Sequence, residues 1–144
     1  MKQRKFGNTD LECAEIGLGT WALGSSVYGD VENVEAYRLV QESLDRGIRF
    51  FDTAPLYGNK NEDGVAERVL GEGLGKRKAD AIISTKFGRT ARDVMPGRFT
   101  AEEARASCEA SLERLGREWI DLFFFHSPFE PDEIDDGVWA ELER

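Results

Sequence analysis

The chain has 144 residues, 40% of them apolar and 33% charged, which is enough for one domain with its own core. Its formal net charge of −9 argues against nucleic acid as a partner, because phosphate binding needs a concentrated basic face. No run approaches the roughly eighteen apolar residues of a membrane span. The basic N-terminus, Met-Lys-Gln-Arg-Lys-Phe-Gly, has no apolar stretch behind it, so neither a membrane segment nor a signal peptide is expected.

In chain order, residues 2–6 and 11–16 flank Gly-Asn-Thr-Asp at 7–10 and predict a β-hairpin over the first 13 or so residues, with turn chemistry at Asn8 and Asp10. Residues 14–21, Ala-Glu-Ile-Gly-Leu-Gly-Thr-Trp, predict a short buried strand running into a Gly-rich loop. Val31–Arg46 is helical by the spacing of Tyr37, Val40 and Leu44, with Gly47 at the cap position. Ile48–Thr53 is the next strand, followed by a polar loop from Tyr57 to Gly64. A helix over Val65–Leu74 presents Val65, Val69 and Leu70, and Gly75 ends it. Asp80–Phe87 is a third strand, and a long loop with Gly88, Pro96 and Gly97 follows it. Thr100-Ala-Glu-Glu103 is a capping box. It opens a helix to Leu115 whose buried stripe is Ala104, Cys108, Leu112 and Leu115, and Gly116 closes it. Ile120–His126 is a fourth strand, Ser127-Pro128 breaks it, and a further helix starts near Asp136 and runs to the end of the chain.

Strand and helix alternate, and the strands are apolar on both faces, which is the pattern of a parallel sheet covered by helices. The fold class expected is α/β. Residues 14–144 supply four βα units, truncated in the fourth helix, and read as the N-terminal half of a (β/α)8 barrel, which typically needs about 250 residues. A small four-stranded α/β domain that closes on itself is the alternative. In the half-barrel, open strand edges invite self-association.

Chemistry in such barrels sits at the C-terminal ends of the strands. That rule selects Gly19, Thr20 and Trp21 after the first strand, and Asp52 with Tyr57 after the second. It selects Lys86 near the end of the third and His126 at the end of the fourth. Asp52 needs a cation to stay ionised beside an apolar interior, and Lys86 supplies one. The same charge beside Tyr57 favours its phenolate, so Tyr57 can give a proton to a carbonyl oxygen. His126 can donate a hydrogen bond to that oxygen, and Trp21 can wall the pocket. Each residue also has a plainer reading: Asp52 as a helix-loop cap, Tyr57 as a half-buried loop aromatic, Lys86 as a solvated strand-end charge, His126 as a satisfied strand-end histidine. Their coincidence at one end of consecutive strands favours the joint assignment. His126 is the single histidine, which excludes a multi-His metal site, and no metal is expected. Cys13 and Cys108 form no CxxC and read as reduced thiols of a cytoplasmic protein. Gly-Leu-Gly-Thr at 17–20 lacks the spacing of a Rossmann turn.

Gly-Ile-Arg-Phe-Phe-Asp-Thr-Ala-Pro-Leu-Tyr-Gly (47–58), Ser-Thr-Lys-Phe-Gly (84–88) and Phe-Phe-His-Ser-Pro (124–128) resemble the aldo-keto reductases. Gly-Leu-Gly-Thr-Trp (17–21) and Glu-Arg-Val-Leu-Gly (67–71) fit the same pattern, which looks closest to the bacterial and potassium-channel-β-like branches. The resemblance implies a barrel with a hairpin closing its bottom. It also implies metal-free interconversion of carbonyls and alcohols with NADP(H), or alternatively NAD(H), on a small-molecule carbonyl substrate. It places the catalytic tetrad on Asp52, Tyr57, Lys86 and His126, with Tyr57 the general acid/base. The nicotinamide would touch Gly19, Thr20, Trp21 and Asp52, and the substrate Trp21, Tyr57 and His126. Most of the family's cofactor grip lies beyond the fourth strand, so this chain carries the proton machinery and little of the cofactor site. Two other readings are a non-catalytic half-barrel or binding subunit similar to the channel-β relatives, and a lyase using Lys86 as a Schiff base.

Overall fold

The computed structural model of the chain describes residues 2–25, 29–59, 61–92 and 99–144. The loop predicted around Pro96 and Gly97 lies outside them. The hairpin forms from β1 (Gln3–Lys5) and β2 (Glu12–Ala14), antiparallel with Arg4 opposite Cys13. The side chain that bonds its turn is Thr9, whose hydroxyl donates to the Phe6 carbonyl at 2.6 Å and accepts the Leu11 N–H at 3.2 Å. The turn chemistry thus falls one residue away from the Asn8 and Asp10 that the sequence suggested.

The main sheet is parallel and runs β3-β4-β5-β6: Leu18–Gly19, Phe50–Asp52, Ile82–Phe87 and Leu122–Phe125. Each strand pairs with its successor in the chain, the order of a barrel wall rather than of a doubly wound sheet, whose order reverses. The strand predicted over 14–21 is reduced to two paired residues. Ile16, which precedes them, is 58% exposed, and among the described residues β3 has a single partner. The chain then forms a one-turn helix, α1 (Trp21–Gly24), where a loop was expected.

Side chains alternate across the pleat. Ile83, Thr85 and Phe87 of β5 share a face with Phe51, which is paired to Ile83. All four are buried against the helices. Phe51 and Ile83 join Val40, Leu70 and Leu115 in one cluster, and Phe87 joins Phe99, Ala104 and Val138 in a second. Burying each large apolar side chain of this kind contributes roughly 1.5–3 kcal/mol. The covering helices are α2 (Asn33–Asp45), α3 (Val65–Leu74) and α4 (Ala101–Leu115), and the short α5 (Gly137–Leu142) packs on α4. Thr100 caps α4 as predicted, its hydroxyl accepting the Glu103 N–H at 3.1 Å. The buried stripe of α4 is Ala104, Ser107, Ser111 and Leu115, while Cys108 and Leu112 are half-buried. Serines take the stripe because small side chains let the helix approach its neighbours closely; Gly71 of α3 lies directly against the Leu115 carbonyl.

The opposite face of the sheet carries Gly19, Asp52, Ser84, Lys86 and Phe124, with Gly19 opposite Asp52, Asp52 opposite Ser84 and Lys86 opposite Phe124. Phe124 is 43% exposed on this face. At the strands' N-terminal end the hairpin's Phe6 ring lies 6.1 Å from that of Phe50, so the hairpin sits under the sheet and the C-terminal ends stay open. Among the described residues no helix is long and apolar enough to cross a membrane.

Candidate active site

Asp52 is the last residue of β4, and its position is fixed through its backbone. Its carbonyl accepts both the Thr20 N–H at 2.9 Å and the Thr20 hydroxyl at 3.0 Å. Thr20 is fully buried and its side chain is committed to that bond, whereas Gly19 and Trp21 on either side are exposed. Of the three residues selected after the first strand, two therefore face the open end and one holds Asp52.

The Asp52 carboxylate collects donors. Ser84 donates its hydroxyl to Oδ1 at 2.7 Å, and the Lys86 ammonium donates to the same oxygen at 2.8 Å. Lys86 also donates to the Thr53 carbonyl at 2.8 Å and to the Tyr57 hydroxyl at 3.3 Å. Tyr57 in turn donates towards Asp52 Oδ2 at 3.4 Å, a long contact. The Lys86 side chain is only 16% exposed, so its charge is partly stripped of water and its three donors are all directed at oxygens.

Tyr57 enters from the loop after β4. Its carbonyl accepts the Ala66 N–H at 2.9 Å, which ties the loop to the start of α3. Gly24 of α1 packs on the same carbonyl; a Cβ there would overlap it. The phenol ring stacks on Trp21 with centroids 6.0 Å apart, and the Lys86 Nζ lies 4.9 Å from its centre.

His126 follows β6, its N–H donating to the Phe87 carbonyl at 2.9 Å. Its ring meets Tyr57 edge-on, at 5.9 Å and 90°. Burial pushes its pKa down to about 4; the positive charges of Lys86 and Arg89 push the same way and Asp52 pulls against them. The ring is therefore neutral at pH 7, and its buried Nδ1 has no partner among the described residues. Of the residues that strand-end position selected, the structure brings Asp52, Tyr57, Lys86 and His126 together. Together they form a neutral ring, a phenol, an ammonium and a carboxylate around one opening, able to move a proton to or from a small oxygen-bearing group.

Two supporting residues escaped the sequence. Glu67 of α3 is fully buried behind β5, accepting the Thr85 hydroxyl at 2.5 Å and pairing with Arg114 Nε at 2.6 Å. A signal existed, since Glu67 falls on the same helical face as Leu70 and Leu74. The other is Arg89, buried beyond β5 against the backbone of His126. The carbonyls and the carboxylate it bonds lie 37 or more residues away, and no local pattern announces it.

Comparison with known proteins accords with this geometry. The profile described as "Aldo/keto reductase family" matches residues 15–144. The chain is 38% identical over 126 residues to the L-galactose dehydrogenase of Arabidopsis thaliana, covering 85% of this chain and 37% of that protein. It is 34% identical over 151 residues to the aldo-keto reductase YhdN of Bacillus subtilis, covering 99% and 43%. Among solved structures it superposes on the holo form of aldo-keto reductase AKR11C1 from Bacillus halodurans with a TM-score of 0.77 at 28% identity, over 99% of this chain and 45% of that one. The chain thus spans roughly two fifths of the length of these curated relatives, and the four-stranded sheet with its hairpin is part of a (β/α) barrel. On the profile match and the shared architecture, this chain belongs to the aldo/keto reductase family.

Proposed function

We propose that the chain carries the proton-transfer device of an NAD(P)H-dependent oxidoreductase that interconverts aldehydes or ketones and alcohols. The observation that carries the proposal is the Lys86 ammonium, within hydrogen-bond distance of both the Asp52 carboxylate and the Tyr57 hydroxyl at the mouth of the sheet. A phenol is an unwilling acid near neutral pH. The adjacent ammonium stabilises the phenolate left behind, and Asp52 holds that ammonium in place. Tyr57 gives its proton to the carbonyl oxygen as the oxygen gains negative charge, and takes it back from the alcohol in the reverse direction. His126, neutral at pH 7, donates a ring N–H to the same oxygen and orients it. Trp21 flanks the substrate, stacked on Tyr57.

When bound, a nicotinamide would supply the hydride that carbonyl reduction requires. The residues at the open end leave room for such a ring: Gly19 sits on the open face opposite Asp52, and a Cβ placed on it would meet nothing within 4 Å. Gly19, Trp21 and Asp52 would line the ring's site, with Thr20 securing Asp52 from behind. NADP(H) is proposed over NAD(H) on family habit. The free thiols of Cys13 and Cys108 suit a cytoplasmic setting.

The experiment is reduction of a test aldehyde followed by NADPH absorbance, with the chain carried within a full-length family barrel and Tyr57→Phe beside wild type. Loss of the general acid is expected to lower kcat by about 10²–10⁴. Wild-type turnover in Tyr57→Phe would overturn the assignment. Tight stoichiometric binding of NADPH to the 144-residue chain in a fluorescence titration would contradict the alternative of a non-catalytic binding subunit.

A further inference from the structure

Arg89 stands three residues beyond Lys86 and is 3% exposed. Its Nε donates to the His126 carbonyl at 2.9 Å and to the Ser127 carbonyl at 3.3 Å, and its Nη2 donates to the Ser127 carbonyl at 3.0 Å. Nη2 also lies 3.4 Å from a Glu133 carboxylate oxygen, and that same oxygen accepts the Phe129 N–H at 3.0 Å. The guanidinium carbon is 4.5 Å from the centre of the Phe129 ring and 5.7 Å from that of Phe99. A charge buried this deeply is costly unless the fold uses its bonds. A planar fork reaching two successive carbonyls is something a lysine cannot reproduce.

The fork grips strained backbone. Among the described residues Ser127 is the non-glycine residue in the left-handed region, with φ +52°. His126 is thus held from both sides, its N–H by the last residue of β5 and its carbonyl by the arginine two residues further on. The imidazole leaves this clamped Cα and meets the Tyr57 ring edge-on.

We propose that Arg89 is a positioning residue for His126: by binding the carbonyls of His126 and Ser127 it holds the left-handed turn that ends β6, and so sets where the imidazole stands against Tyr57. The proposal rests on the reading of His126 as the group that orients the substrate oxygen, but its test does not need turnover.

His126 is the only histidine in the chain, so its ring gives a single set of NMR signals in the whole protein. Wild type should show nuclear Overhauser contacts between the His126 and Tyr57 rings. Arg89→Met is expected to weaken them several-fold while the amide signals of β4 and β5 stay in place. Arg89→Lys should not restore them, because one ammonium cannot replace the fork. The double variant Arg89→Met/Ser127→Gly should recover them in part, since glycine adopts that φ without being held. Undiminished ring contacts in Arg89→Met would overturn the proposal, and so would a double variant indistinguishable from Arg89→Met. Should Arg89→Met fail to fold, Arg89→Lys decides: wild-type ring contacts in it would leave the fork without the role assigned here. An inactive protein that still shows these shifts would count against the proposed reaction and not against Arg89.

Discussion

His126 turns the site's geometry into a measurable pH dependence. Unfolded, a histidine takes up its proton near pH 6.5; folded, this one does so at about 4. Between those values the unfolded chain holds more protons, so stability rises with pH. The contribution is fully present above about pH 6.5 and is lost as the pH falls towards 4. Wild type should therefore lose about 1 kcal/mol more than His126→Gln between pH 7 and pH 5 in urea unfolding, after allowance for solvent screening. Lys86→Met tests the neighbouring charge. It leaves Asp52 and Tyr57 without their shared cation, and kcat for aldehyde reduction should fall at least 10²-fold while the circular dichroism spectrum is unchanged. Both residues were legible in the sequence because each ends or nearly ends an apolar strand, so that a one-dimensional pattern fixed their place in space. Thr20 was legible as a member of the site but not in its role. That its hydroxyl would be spent on the Asp52 carbonyl depends on the β3–β4 register, which no sequence period encodes.

The strands and helices hold the site from behind. β5 presents Lys86 to the open face and Thr85 to the helices, and Thr85 is anchored by Glu67, itself paired with Arg114 of α4. This links three elements through one buried carboxylate. Glu67→Ala would leave the Thr85 hydroxyl and the Arg114 charge without that partner, and should cost about 3 kcal/mol in urea unfolding. Glu67→Ala/Arg114→Met should cost less than the sum of the single changes, since no unpaired charge remains. Gly24→Ala acts on the other wall: its Cβ overlaps the Tyr57 carbonyl, so the loop must shift, with about 1–3 kcal/mol of destabilisation and a weakened Trp21–Tyr57 ring contact. The types of the longer elements were readable, because α2, α3 and α4 each show a helical period and a terminal glycine or cap. The buried face of α4 was not. Hydrophobicity selects Cys108 and Leu112, but closeness to α3 and the sheet selects Ser107 and Ser111, and packing distance leaves no trace in composition.

For the molecule as a whole, the sheet has two outer strands among the described residues, β3 and β6, and Phe124 of β6 is exposed on the open face. Unpaired strand edges and a bare aromatic favour association, while a net charge of −9 opposes the approach of a second copy. Gel filtration of the 144-residue chain by itself should therefore show an apparent size that grows with protein concentration and with added salt, which screens the repulsion. Phe124→Ser should reduce it. Elution as a monomer under all these conditions would contradict the expected association.

The four candidate groups and the residues that bond to them fall between Thr20 and Glu133, and among the described residues each strand of the main sheet pairs with its neighbours in the chain. A genetic crossover downstream of Leu142, which keeps the buried Val138 of α5 beside Phe87, would pass on together the residues that set the 2.8 Å and 3.3 Å spacings around Lys86. Descendants could then differ in everything built after that point while inheriting the same proton-handling unit. Chimaeras spliced there should keep their His126–Tyr57 contact even when their partner segments are unrelated in preference.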